Sequence, residues 1–543
     1  MVPITPSRET SRHVLRGPHD LRISKSASAL IGLAAIASVP LMWWVTLQGL
    51  GISVDSTVYI GAARSLLAGN GLLQAIEDQG AAQKAHAPHG DKGFPLTHFP
   101  PTYPILLAVS SLVGQTDVVE SAGFLQILLF AANTILFGLV ILRATNGSLP
   151  ATAVALLFFL TSEPILTLHG WAWSEGLFIA EWLACFLALS SFLLQPRALN
   201  LLLLSLFAGA AMTTRYVGVT LLPPLVIALM VFGKKKDRIR EILSVGALAL
   251  FPLCLWLTRN FIRTRHATDR SFDIHIVNVD QIRELISTTF RFAIPVSVPT
   301  VVQALLLVVA GIVISVRLTL DIAKVGRRKD TTAASMRFSW TCLLFFATYV
   351  GFLLISISFL DSGTHLDFRI LTPGLLAFAV AGLGFAWSLI RNLKHRRLRY
   401  GLTALMFVPV GLNLVYGLPN AAQRHKEAFD YASRTWKSSA MIAYLRDVPA
   451  DLKIYSNDPY SIDWFIGRRS IALPMVDGQP NSKSANALLE TQLRPITKEC
   501  VDAKAIVAYF ENGRPYFPKK SEIEANSDLS VLQKLEDGII YGC

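Results

Sequence analysis

Asp55 is the first charged residue after an apolar stretch that runs from Ser26 to Val54, and it opens the segment Asp55-Ser-Thr-Val-Tyr59. A carboxylate placed where a membrane helix meets water can take a proton from a hydroxyl arriving from water, while a lipid-borne partner arrives from the side. More ionisable groups recur near expected helix ends: Glu163, Glu175, Arg215, Arg259, Arg263, Arg265, Asp361, Asp367 and Arg369, with Glu181 deeper in its span. Charges beside hydrocarbon are expensive. They either pair with one another to hold helix ends together or present guanidinium forks to a phosphate, which arginine grips bidentately. Arg259 and Arg369 are the first candidates for a phosphate, because each sits at the outer end of a span where a lipid headgroup would lie; Arg215 is the third.

The elements that position these groups follow from composition. Of 543 residues, 52% are hydrophobic and 16% charged, with mean hydropathy +0.47, which excludes an ordinary set of soluble domains. A bilayer core of about 30 Å takes roughly 20 helical residues. Charge-poor stretches supply about eleven spans, near 27–50, 119–142, 149–166, 173–194, 198–214, 216–233, 240–258, 294–316, 338–360, 369–390 and 400–419. Basic residues cluster at alternate ends: 23 of the 50 Lys and Arg, but six of the 37 acids, fall in the segments that this pattern retains in the cytoplasm. The net charge of +13 is thus a topology signal rather than a nucleic-acid footprint. The first span lacks a small-residue cleavage site and ends in Trp43 and Trp44, so it reads as a retained anchor behind a disordered cytoplasmic tail, 1–25.

The transmembrane domain is expected over 26–420, with an outer loop at 51–118. Ile60, Ala63 and Leu67 recur at helical spacing in that loop, which predicts an amphipathic helix over Ser56 to Ala68, stopped by Gly69 and Gly71. Asp55 either caps this helix or acts as a base, and the two roles are compatible. The loop closes on His98-Phe-Pro-Pro-Thr-Tyr-Pro104, followed by an apolar run too short to span. Residues 85–93, with His86, His89 and Asp91, read as a mobile loop whose histidines are more readily solvent-exposed than metal-bound.

After residue 420 the chain becomes polar. Residues 425–446 read as an amphipathic helix, Lys453 to Ser456 and Ala505 to Phe510 as strands, and Ser461 to Ile466 as a short helix, giving a small periplasmic α/β domain over 421–543. Cys185, Cys254 and Cys342 fall in spans, where a thiol is a small apolar side chain. Cys500 and Cys543 fall on the oxidising side and are expected to form a disulfide.

Several of these segments together resemble a known family. Asp55-Ser-Thr-Val-Tyr59, Ala62-Ala-Arg-Ser-Leu-Leu-Ala-Gly-Asn-Gly71, Phe99-Pro-Pro-Thr-Tyr-Pro104, Ser174-Glu175-Gly-Leu-Phe178, Thr214-Arg-Tyr216, Arg259-Asn260 and Arg369-Ile-Leu-Thr-Pro373 look like successive signposts of the C-type (GT-C) membrane glycosyltransferases. The chain is similar to the bacterial branch with lipopolysaccharide-core galacturonosyltransferases, aminoarabinose transferases and protein mannosyltransferases. The resemblance implies a GT-C-like polytopic helical fold and transfer of a sugar, with inversion, from a polyprenyl-phosphate carrier to an envelope lipid, glycan or protein. It makes Asp55 the catalytic acidic residue. Tyr59, Tyr103 and Glu175, which stand in the same motifs, are expected to contact substrate together with Arg215, Arg259 and Arg369. A divalent metal is possible, with His98 as its candidate ligand. A multi-pass inner-membrane location, N-terminus cytoplasmic, completes the expectation. The rival from another class is a transporter or lipid flippase, since many spans with rim charges would also serve a permeation path; a non-catalytic scaffold would leave Asp55 as a cap.

Overall fold

In the computed structural model, residues 23–75, 93–268, 274–325, 331–360, 363–474, 483–514 and 516–542 are described, with 270 and 272. Seven helices among them are long and apolar enough to cross a bilayer: Lys25–Val45, Val118–Ala144, Glu175–Leu194, Arg238–Thr264, Ala333–Phe359, Phe368–Arg391 and Arg396–Glu427. An eighth span arises if Leu149–Thr161 and Glu163–His169, bent by 58°, count as one. The other three expected spans are apolar helices of 10–17 residues, Ala198–Thr214, Tyr216–Phe232 and Thr300–Val313. All eleven expected segments therefore fall on helices, but only seven or eight meet the length for crossing. Apolar side chains such as Leu33, Ile36, Phe251 and Leu255 point outward, the arrangement that hydrocarbon surroundings favour.

The first helix ends at Val45, before the expected limit at residue 50, and the chain turns at Gly49 with φ +117°. Gly51 then lies flat against Trp171: a Cβ there would stand 2.6 Å from the indole Cδ2. The short extended segment 51–52 is held on both sides. Gly51 N–H donates to the Gly170 carbonyl (2.9 Å), Ala172 N–H to the Gly51 carbonyl (3.0 Å), and Tyr431 N–H to the Ile52 carbonyl (3.1 Å).

This clamp delivers the amphipathic helix Val54–Leu67. Ser53, not Asp55, is its N-cap: Ser53 Oγ accepts from Ser56 N–H, and Ser56 Oγ accepts from Ser53 N–H at 3.1 Å. The capping role weighed for Asp55 is thus corrected, because a Ser-x-x-Ser pair two residues upstream completes a reciprocal capping box. Asp55 is left in the first turn, where its charge suits the helix dipole. The helix stops as expected, at Gly69 (φ +76°) and Gly71 (φ +81°).

Beyond the helix, strands β1 (Leu73–Gln74) and β2 (Phe94–Pro95) pair antiparallel, and helix Thr102–Gly114 follows the paired prolines. Residues 76–92, including His86, His89 and Asp91, lie outside the described residues, as do Asp361 and residues 1–22.

The C-terminal region folds as a five-stranded mixed sheet of order β4-β3-β5-β7-β6, with β3 Lys453–Ser456, β4 Ile471–Ala472, β5 Ala505–Phe510, β6 Ser530–Leu535 and β7 Gly538–Gly542. β3 is parallel to β4 and β5, while β7 is antiparallel to β5 and β6. The two expected strands have their predicted limits, and the short helix is Pro459–Ile466. The expected helix over 425–446 is instead broken. Helix Val408–Glu427 ends at Ala428 (φ +57°), Asp430 also has positive φ (+48°), and helices Arg434–Lys437 and Ala440–Arg446 follow. The periodicity was compatible with one helix, but the left-handed residues turn the chain to reach Ile52.

Cys185 and Cys342 are buried in the bundle, and Cys254 lies on its surface. Cys500 is buried in a cluster that contains Tyr541, and Cys543, its expected partner, lies outside the described residues. Labelling of unreduced, denatured protein should find three reactive thiols if the pair is oxidised; five would rule the bridge out.

Candidate active site

Three helix starts and one helix end converge at the loop end of the bundle. Arg369 follows Asp367, whose carboxylate caps helix Phe368–Arg391 by accepting from Ile370 N–H at 3.0 Å. The Arg369 guanidinium is shared between two carboxylates: Nη2 donates to Asp55 Oδ2 at 2.5 Å and Nε to Glu175 Oε1 at 2.7 Å. Glu175 begins helix Glu175–Leu194 and is fully buried. Its Oε1 also receives Arg215 Nη1 at 2.5 Å, from the junction after helix Ala198–Thr214. The same Arg215 nitrogen donates to Ser174 Oγ at 3.1 Å. Two cations on a buried carboxylate satisfy it where a lone charge would be prohibitive, and two acids with two arginines leave the cluster formally neutral.

Arg369 is stiffened from below, its guanidinium carbon lying 4.3 Å from the Trp173 ring centroid. Trp173 donates through Nε1 to Ser53 Oγ at 2.7 Å, so the residue that caps the Asp55 helix also anchors the ring under Arg369. Trp171 stacks on Trp173 at 4.6 Å. Asp55 and Arg369 keep 27% and 20% side-chain exposure, so the ion pair is open on one side. Burial pushes the Asp55 carboxyl up, but Arg369, aided by His98 and Arg215, outweighs it and holds the group below the ordinary carboxylate range.

Of the residues expected to touch substrate, Glu175, Arg215 and Arg369 are brought together with Asp55. Tyr59 and Tyr103 are buried behind them: Tyr59 OH is 3.2 Å from Ser174 Oγ, and Tyr103 OH accepts from Gln126 Nε2 at 3.0 Å. In this conformation they position the cluster instead of facing a ligand, and burial raises the Tyr59 phenol so that it stays protonated. Arg259 has a separate setting. It donates to the carbonyls of Leu96 (2.8 Å) and Leu72 (3.2 Å), to Asn260 Oδ1 (2.9 Å), and lies over Trp256. It therefore ties the β1–β2 strand pair to the bundle, and its charge meets no carboxylate among the described residues.

Glu163 pairs with Arg424, and Glu181 accepts from Thr214 Oγ1 at 2.8 Å inside the bundle, so both serve packing of helix ends. His98 packs edge-on against Phe99. Among the described residues no three His, Cys, Asp or Glu side chains form a metal-ligand group, and Asp55 Oδ2 is occupied by Arg369. The described residues therefore offer no three-ligand set for a divalent ion. Ser53 and Trp173 carry no expected role in the sequence, and Ser174 stands there only as the first residue of the Ser174–Phe178 motif. The run Trp171-Ala-Trp173-Ser-Glu175, two indoles just before an acidic helix start, was the available signal.

No family model and no curated protein sequence matches the chain. Solved structures do. ArnT from Cupriavidus metallidurans bound to undecaprenyl phosphate matches at TM-score 0.51 and 12% identity, over 95% of this chain and 98% of that one. The archaeal oligosaccharyltransferase AglB from Archaeoglobus fulgidus, in complex with an inhibitory peptide and a dolichol-phosphate, matches at 0.53 and 11% over 90% and 69%. The arabinofuranosyltransferase AftD from Mycobacteria matches at 0.54 and 13%, where 96% of this chain spans 40% of that one. The chain is a multi-pass membrane protein with the GT-C fold.

Proposed function

We propose that this protein is an inverting glycosyltransferase that moves a sugar from a polyprenyl-phosphate carrier to an envelope lipid, glycan or protein acceptor. The Asp55–Arg369 pair, set at the loop end of a fold shared with ArnT bound to undecaprenyl phosphate, carries this reading. The loop end and the C-terminal domain face the periplasm and the N-terminus the cytoplasm of the inner membrane, an orientation supported by the basic clusters.

Asp55 is ionised at neutral pH, and Arg369 engages Oδ2, leaving Oδ1 to receive the acceptor proton. The acceptor oxygen attacks the anomeric carbon as the bond from that carbon to the phosphate oxygen breaks, and the lipid phosphate leaves with the electron pair. Arg369 and Arg215, pre-oriented by Glu175, stabilise that anion, and Arg259 adds a charge from the loop side.

The pH profile follows from the lowered carboxyl. A base with a depressed pKa is active above it and fails as pH falls through it. The acid limb of kcat/KM should lie below the ordinary aspartate value of about 3.9, with activity flat from there to neutrality wherever the protein stays folded. An acid limb near pH 6 would assign the proton transfer to another group. The physiological role is tested by mass spectrometry of envelope glycolipids and glycoproteins from a deletion strain. One component should lack a single sugar relative to wild type, and an unchanged envelope would count against transfer.

A further inference from the structure

The C-terminal domain reaches the catalytic helix at Ile52, one residue before the Ser53 cap: Ile52 N–H donates to the Phe429 carbonyl at 3.5 Å, and Tyr431 N–H donates to the Ile52 carbonyl at 3.1 Å. That donor is presented by the left-handed turn at Ala428 and Asp430, a conformation that residues other than glycine adopt at a cost. The turn is held from the C-terminal domain. Arg514 donates to both oxygens of Asp430 at 3.2 Å, and its Nε lies 3.2 Å from Asp458 Oδ2. It also covers the Tyr431 ring at 4.7 Å, while Tyr431 OH donates to Asp458 Oδ1. Tyr431 and Trp436 share one apolar cluster with Ile52, Tyr59 and Tyr103. A second path runs through rings: Phe429 stacks on Trp171 at 5.7 Å, and Trp171 stacks on Trp173 beneath Arg369.

We propose that Arg514 and Asp430 are positioning residues for Asp55, fixing the turn that aligns segment 51–53 and so making the C-terminal domain a working part of the active site. Local packing alone would not require the domain to reach the bundle through a left-handed residue gripped bidentately from another element. The alignment matters because misplacing a reacting group by about 1 Å can cost a hundredfold in rate.

The kinetic part of this inference rests on the proposed transfer reaction; the alignment does not, and exchange reads it without any substrate. In full-length Arg514→Ala, the amides of Ser56 and Thr57, bonded to Ser53, should exchange at least about threefold faster, while β5 stays protected. Arg514→Lys should restore part of the protection. With transfer assayed, kcat should fall about tenfold with KM values for donor and acceptor little changed. Asp430→Asn, which leaves the Arg514–Asp458–Tyr431 contacts in place, is read the same way if Arg514→Ala unsettles the sheet. Unchanged exchange at Ser56 and Thr57 in a folded variant overturns the proposal, as does loss of β5 protection in both variants, which would make the contact part of domain folding. Accelerated exchange without measurable transfer by the wild type would instead sink the proposed reaction and leave the alignment standing.

Discussion

Asp55→Asn should insert and fold as wild type while lowering glycosyl transfer at least about a hundredfold, the scale for losing a positioned general base. Folding should survive because Ser53 supplies the helix cap, and asparagine keeps the shape and one acceptor for Arg369. What disappears is the only atom pair in the cluster that is both partly exposed and able to take a proton, since Glu175 is sealed beneath two arginines. Steady-state kinetics on purified variant and wild type at matched membrane incorporation decide it. Full activity of the Asn variant would reduce Asp55 to an ion-pair partner.

Arg369→Ala has the second large effect. Glu175 retains Arg215, and Asp55, which loses its partner, is partly exposed to solvent, so the bundle should still assemble. Transfer should fall by about 10² to 10³, the range for removing one donor to a developing anion, and the loss should appear with the lipid donor more than with the acceptor. A second signature separates this role from packing. Without Arg369 the burial of Asp55 is no longer outweighed, so the acid limb should move to higher pH than in wild type. Arg369→Lys should return part of the rate but not the shared grip on two carboxylates. Unchanged donor kinetics in a folded Arg369→Ala protein would remove the phosphate assignment.

How much of this was legible in the sequence depends on the range of each interaction. Spans, the Val54–Leu67 helix and the strands β3 and β5 follow from hydropathy and local periodicity, which act over a few residues. The acidic and basic members of the site were readable as charges at helix ends. Their pairing was not: Asp55 and Arg369 are 314 positions apart and Arg369 and Glu175 194 apart, and only the order of helices around the bundle brings them together. The choice of Ser53 over Asp55 as cap was ambiguous because both are good caps within one turn. Trp173 was marked only as one of two indoles before an acidic helix start, which does not say that it lies beneath a guanidinium. The break at Ala428 and Asp430 overrides helical periodicity for a tertiary reason, the bond from Tyr431 to Ile52.

The most direct measurement is the fate of a polyprenyl-phosphate sugar given to purified protein in lipid vesicles together with envelope extract as acceptor. Free polyprenyl phosphate should accumulate in step with glycosylated acceptor, with the anomeric configuration inverted, and Asp55→Asn should release neither. Donor that crosses the bilayer uncleaved, at the same rate in wild type and Asp55→Asn, would contradict glycosyl transfer and establish a lipid flippase.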